Sequence, residues 1–184
     1  MKSKILQTLR EDHANQAQLL ALIEAEIAKL SGGMEAPDYE LISLALEYCT
    51  DYPSRCHHPR EDLIYVKLLQ RDPQFGTRAA VLTEDHRDLE SLIRKFAEAV
   101  GGTMCGRDPR QLRQTGERFL HHYRHHMSVE EREIFPRASE CLTDDDWQEI
   151  EDAYEEVSDP LFGDHTRQAY IALQRRIVDR TRVC

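Results

Sequence analysis

The chain has 184 residues, of which 40% are hydrophobic and 32% charged, and a net charge of −10. That is enough for one globular domain with a full core and too apolar for a disordered segment. The negative balance excludes the basic face that a nucleic-acid binder or a polybasic membrane anchor needs, and no stretch approaches the roughly 18 continuous apolar residues of a membrane span.

The N-terminus, MKSKILQTLREDH, turns polar too soon for a signal peptide, so the chain reads as soluble and cytoplasmic. Glycine and proline break it at SGGMEAP, RDPQFG, GGTMCGRDP and SDPLFG. Between the breaks, apolar residues recur every three or four positions, as on amphipathic helices. The pattern predicts long helices over about 3–30, 38–70, 77–100 and 108–141, then shorter ones over about 143–157 and 163–181. LTDDDW marks a helix start, with Thr143 or Asp144 first and acids in the first turn. Alternating, β-branched runs are missing. The expected fold is all-α: an up-down-up-down four-helix bundle over 1–142 and a C-terminal helical extension over 143–184 packed on it.

Two motifs recur in the same order. EDH occurs at 11–13 and at 84–86, and His-x-x-x-Glu at 57–61 and at 126–130. On a helix turning about 100° per residue, Glu130 falls within the apolar stripe of Phe119, Tyr123, Met127 and Ile134, with His126 about 40° away. His57 falls inside the stripe of Ile42, Leu46, Cys49, Ile64 and Leu68, with Glu61 about 40° from it. His58 and Asp62 sit about 100° off, although Pro59 should kink this helix and blur the wheel. His13 is surrounded by Leu6, Leu9, Ala17, Leu20 and Ile27, and His86 by Ala79, Leu82, Ile93 and Ala97. Four histidines and two glutamates, His13, His57, Glu61, His86, His126 and Glu130, therefore point at the axis. Two ionised carboxylates there need compensating positive charge, and a divalent metal, or better two, supplies it.

A lone histidine on an apolar face is more often a hydrogen-bonded core residue than a ligand, and a lone HxxxE is often a surface pair. It is the joint, twice-repeated inward set that points to metal. His58, His121, His125 and His165 read as solvated, as do the acids of DDDW and EIEDAYEE. His122 stays open, and Glu90, one turn beyond His86, is kept as a further ligand or a group behind one. Phe119, Met127 and Phe135 read as core. The five cysteines form no CxxC pair and read as reduced core or surface thiols.

Imidazole and carboxylate donors without thiolate suit iron, manganese or zinc, and six ligands are too many for one zinc. They suit two octahedral ions bridged by an oxide or hydroxide, with positions open to small ligands. Ferritin-like bundles carry Glu and Glu-x-x-His instead. The segments YPSRCHHPREDLIY, HHMSVEEREIFP, REDH and TEDH resemble the hemerythrin-like (HHE cation-binding) family over about residues 5–140. That resemblance implies a non-haem diiron centre, with Mn or Zn as possible substitutes, held by His13, His57, Glu61, His86, His126 and Glu130. The oxygen-carrying hemerythrins have a histidine where this chain has Glu90, which weighs against simple reversible oxygen carriage. The set looks more like the four-His, two-Glu centres of bacterial proteins linked to nitrosative stress and iron–sulfur repair. It comes here without the N-terminal cysteine-bearing domain those proteins usually carry, and without a fused signalling or ubiquitin-ligase module. The expected function is binding of, or reaction with, dioxygen, nitric oxide or peroxide. Iron storage, sensing or donation is the alternative, and a purely structural metal or histidine staple a third reading.

Overall fold

The computed structural model describes residues 4–32, 35–154 and 157–181. Among these residues all regular structure is helical. Helix α1 spans Lys4–Gly32, α2 Tyr39–Tyr52, α3 His58–Arg71, α4 Pro73–Met104, α5 Pro109–Val129, α6 Phe135–Cys141, α7 Asp144–Ala153 and α8 Ile171–Thr181. Single π-helical turns join α2 to α3 over Pro53–His57 and α5 to α6 over Glu130–Ile134. The molecule is therefore built on four long helical runs: α1, α2–α3, α4 and α5–α6. Helix α4 packs against α2, α3 and α5, and α1 packs against α5 and α2.

The predicted helix over 38–70 is present but not regular. Pro59 has no N–H to offer the carbonyl four residues back, and the strain is relieved one turn earlier. The His58 N–H bonds the Pro53 carbonyl in a wide turn, and α3 restarts with Pro59 in its first turn. The second π turn ends likewise: the Phe135 N–H bonds the Glu130 carbonyl, and Pro136 opens α6. Each wide turn inserts a residue and rotates everything beyond it by about 100°.

Helix α4 begins earlier than predicted because Asp72 caps it, accepting from the Phe75 N–H at 3.2 Å. The chain thus turns from α3 into α4 on one residue. Gly76 permits this turn, since a Cβ there would fall inside the Leu69 backbone. Helix α7 opens on Thr143 and Asp146 in a reciprocal capping box. Asp146 is buried and receives Arg71 through two contacts of 2.9 Å, so this acid is not solvated as expected of the DDDW run. Helix α7 ends at Ala153, and residues 155–156 of the predicted 143–157 helix lie outside the described residues. The predicted 163–181 helix is shortened to α8, because Asp159 takes the Leu161 and Phe162 N–H groups into a tight turn first. Helix α8 packs on α1 and α2, and α7 on α3. Cys49 and Cys56 are buried free thiols, Cys105 is exposed and Cys141 half-buried, while Cys184 lies outside the described residues.

The core forms two apolar clusters. One gathers Leu20, Ile23, Leu46, Phe96, Phe119 and Tyr123, among others. The other is built on Leu9, Ile64, Leu68, Leu82, Ile134 and Phe135. Every long run passes from one cluster to the other, and each carries polar residues at the crossing: His13 on α1, His57 and Glu61 on α2–α3, His86 on α4, His126 and Glu130 on α5–α6. Ala17 and Ala97, expected on the apolar stripes, face outward, and Gln16 and Phe96 take the inner positions.

Alanine is a better helix former than glycine by about 1 kcal/mol. Gly76→Ala is nonetheless expected to destabilise the protein by about 1–3 kcal/mol, because Leu69 must give way. Chemical denaturation measures the sign; a stabilised variant would refute the close approach of α3 and α4.

Candidate metal centre

Glu61 and Glu130 are both 0% exposed, between the two apolar clusters. His13, His57, His86 and His126 are buried around them. Glu61 faces both halves of the chain: Oε1 lies 3.4 Å from His13 Nε2 and 3.0 Å from His57 Nε2, and Oε2 lies 3.4 Å from His86 Nε2. Glu130 does the same, with Oε2 at 3.3 Å from His13 Nε2 and Oε1 at 3.3 Å from His126 Nε2. Each carboxylate thus reaches two groups of imidazoles. The group His13, His57 and Glu61, and the group His58, Glu61, His86 and His126, each bring ligand atoms within 4.8 Å of one another.

The inner atoms are unsatisfied. His13 Nε2, both Glu61 oxygens, His86 Nε2, His126 Nε2 and Glu130 Oε2 are buried without a hydrogen-bond partner. Each such atom costs about 1–3 kcal/mol when left unpaired. Convergence of these orphans, nitrogen and carboxylate oxygen together, suits the binding of a metal cation.

The outer nitrogens each face an acid. His13 Nδ1 lies 3.0 Å from Glu131 and His57 Nδ1 lies 3.1 Å from Asp12. His86 Nδ1 lies 3.5 Å from Asp62 and His126 Nδ1 lies 3.9 Å from Asp85. Each acid is the neighbour in sequence of an inner residue on the next run: Asp12 precedes His13, Asp62 follows Glu61, Asp85 precedes His86 and Glu131 follows Glu130. The four contacts pass around the bundle with an approximate twofold repeat that matches the repeat in sequence. They hold the rings with Nε2 inward, closely at His13 and His57 and at longer range at His86 and His126, and a carboxylate that takes the Nδ1 proton makes an imidazole a better metal donor. Asp12 also faces Arg60 at 3.6 Å, and that guanidinium lies 4.1 Å over the Tyr154 ring.

The buried carboxylates favour the protonated form of the imidazoles His13, His57 and His86. Burial opposes charge on His13, but the neighbouring Glu130, Glu131 and Glu61 carboxylates outweigh it and raise its pKa to about 12. His86 is raised to about 9 by Asp62 and Glu61 against the same opposition. His57 is also raised, burial being outweighed by Glu61 and Asp12. Glu61 is held well below the usual carboxylate range, because its imidazole neighbours outweigh the effect of burial. The Tyr65 hydroxyl donates to Glu130 Oε1, and burial with the Glu130 charge keeps it protonated.

Two of the sequence expectations change. His58, read as solvated, is buried and stacks on His86 at 4.0 Å, because the π turn at Pro53–His57 rotates it inward. Burial pushes its pKa well below the ordinary value. Glu90 is exposed beside Ser43, Glu47, Arg87 and Arg94, and Leu89 and Ile93 hold the inner face of α4 there. Glu131, to which the sequence assigned no role, is the partner of His13. His121, His125 and His165 are exposed as expected; His122 is half-buried, beside Asp85 and Asp88 on the outer side of His126.

A family profile described as Hemerythrin HHE cation binding domain matches residues 4–138, a span that contains every residue of this centre. The chain belongs to the hemerythrin HHE cation-binding family. No curated protein and no solved structure matches it. The HHE match indicates cation binding, and the His/Glu group with its orphaned inner atoms is able to hold a metal; no helix among the described residues is long and apolar enough to cross a membrane.

Removing the acid behind a ligand should weaken the site without removing a donor. Asp12→Ala and Glu131→Ala are each expected to lower metal affinity about 10- to 100-fold, measured by competition with a chromophoric chelator. Unchanged affinity would mean that these acids only balance charge. Cations must also displace the protons on His13 and His86. In the metal-free fold these raised groups stabilise the protein at low pH, and that contribution is lost as pH rises through about 9 for His86. Metal affinity should therefore rise with pH, with protons released on binding. Calorimetry in buffers of different ionisation enthalpy reads that release; binding without it would contradict the assignment.

Proposed function

We propose that the chain is a non-haem diiron protein that binds or reacts with a small oxidant: dioxygen, nitric oxide or peroxide. The observation that carries this reading is the position of Glu61 and Glu130, each turned with its two oxygens toward imidazoles of opposite halves. Such carboxylates suit bridging between two ions. His13, His57, His86 and His126 would hold the ions, with manganese or zinc as substitutes. In this reading the runs α1, α2–α3, α4 and α5–α6 alternate in direction as an up-down-up-down bundle, and residues 143–184 are an extension to it. A role in the response to oxidative or nitrosative stress inside the cell follows from the same chemistry.

Iron held by these residues would, when ferrous, supply the electrons that a small oxidant accepts. The chain's own residues do the rest. The clusters around Leu9 and Leu20 exclude bulk water from both ends. Phe135 stacks on His13 at 5.4 Å and 15°, covering one face of that ring. The four outer acids hold the imidazoles oriented in either oxidation state. The Tyr65 hydroxyl donates to Glu130 Oε1 and would be a source of a proton beside the centre.

Anaerobic loading with ferrous iron, then rapid mixing with oxygenated, nitric-oxide or peroxide solution, tests the reading. Two irons per chain and oxidant-dependent optical bands are expected. Tyr65→Phe should keep both irons and slow the reaction about 100-fold. Iron that leaves readily to a chelator, with no oxidant consumed, would favour storage, sensing or donation instead. Full stability without metal and no reactivity would favour a structural histidine cluster.

A further inference from the structure

The four acids behind the histidines are not equally supplied with charge. On the half that holds His13 and His57, each acid faces an arginine: Asp12 faces Arg60 and Glu131 faces Arg10. On the other half, Asp62 accepts from the neutral Thr83 hydroxyl at 2.8 Å. Among the described residues no lysine or arginine pairs with Asp62 or Asp85. The two arginines differ in turn. Arg10 and Glu131 are 43% and 33% exposed, so water and salt screen that pair. Arg60 and Asp12 are only 3% and 8% exposed, and the Tyr154 ring at the end of α7 covers the guanidinium at 4.1 Å. Arg60 Nη1 makes no hydrogen bond and has Asp12 Oδ2 at 3.6 Å as its counter-charge. That same oxygen lies 3.1 Å from His57 Nδ1, while the Tyr52 hydroxyl donates to the other oxygen at 3.4 Å.

From this we infer that Arg60 is a positioning residue that acts through Asp12 on His57, and that it makes the iron beside His13 and His57 the easier of the two to reduce. The inference rests on the diiron reading above and deepens it. The guanidinium and the imidazole N–H share one carboxylate oxygen. A positive charge there weakens the pull of that oxygen on the Nδ1 proton, so His57 stays a neutral imidazole with less electron density to give at Nε2. A ferric ion gains more from a strong donor than a ferrous ion does, so the weaker donor favours ferrous iron. The arginine charge acts directly in the same sense, and burial keeps it from being screened. Neither effect operates behind His86 and His126. The half-reduced chain therefore holds its ferrous iron beside His57.

The test uses the full chain in two metal forms. With zinc bound, nitrogen-15 NMR of the histidine rings reads the His57 Nδ1–H bond without redox chemistry. Arg60→Gln should shift the His57 Nδ1 resonance and leave those of His86 and His126 in place. With iron bound, spectroelectrochemical titration should give two one-electron steps. Arg60→Gln should lower the upper step by about tenfold in the ferrous-to-ferric ratio, or about 59 mV. Arg60→Lys keeps the charge and should recover most of that shift, and Arg10→Gln, at the screened pair, should change both readouts less. Arg60→Met fills the position without a charge if the glutamine variant does not fold, and circular dichroism checks each variant. Folded variants with an unmoved His57 resonance and an unmoved upper step would overturn the inference and leave the diiron reading standing. An Arg10→Gln effect as large as that of Arg60→Gln would overturn it too. A zinc form that shows the His57 shift, in a chain that never takes up two irons, would sink the diiron reading and support the action of Arg60 on His57.

Discussion

Two carboxylates with no exposure at all, Glu61 and Glu130, impose the constraint that organises this protein. An ionised carboxylate away from water is tolerated only beside compensating charge and hydrogen-bond donors. Here the compensation comes from every helical run at once. His13, His57, His86 and His126 close on the pair from four directions, carrying protons or facing cations. Separating any one run would leave a buried charge uncovered, so the packing of the bundle and the chemistry of its centre are a single arrangement.

The imidazoles are held in turn from behind. Asp12, Asp62, Asp85 and Glu131 each stand beside an inner residue in sequence yet serve a histidine on the neighbouring run. The helix explains this. A residue next to an inward one points about 100° away from the axis, which is toward the next helix of the ring. The contacts at His13 and His57 are hydrogen bonds, whereas those at His86 and His126 are longer. Beside the second pair, His58 lies stacked on His86.

The long helices and the inward hexad could be read from sequence because the repeat of EDH and HxxxE made the same statement twice. His58 could not, because a wheel of constant pitch carries no π turn. The proline at 59 signalled a disturbance without giving its direction or its place, which was Pro53–His57 rather than Pro59 itself. Glu90 was misplaced for a different reason. One turn beyond His86 the inner face of α4 drifts onto Leu89 and Ile93, and a wheel centred on a few alanines was too coarse to show it. The four outer acids had a signal that went unread: an acid adjoins an inner residue on every run. Single-helix wheels place such residues on the flank and say nothing of the helix beside it. The Asp146 capping box was anticipated as a helix start, but its burial depends on Arg71, which lies 75 positions away in sequence.

Diffraction from crystals grown with ferrous iron, recorded at the iron absorption edge, addresses the central claim directly. Two anomalous peaks about 3.5–4 Å apart should lie between Glu61 and Glu130, one beside His13 and His57 and the other beside His86 and His126. A single peak, or iron found only outside these six residues, would contradict the account.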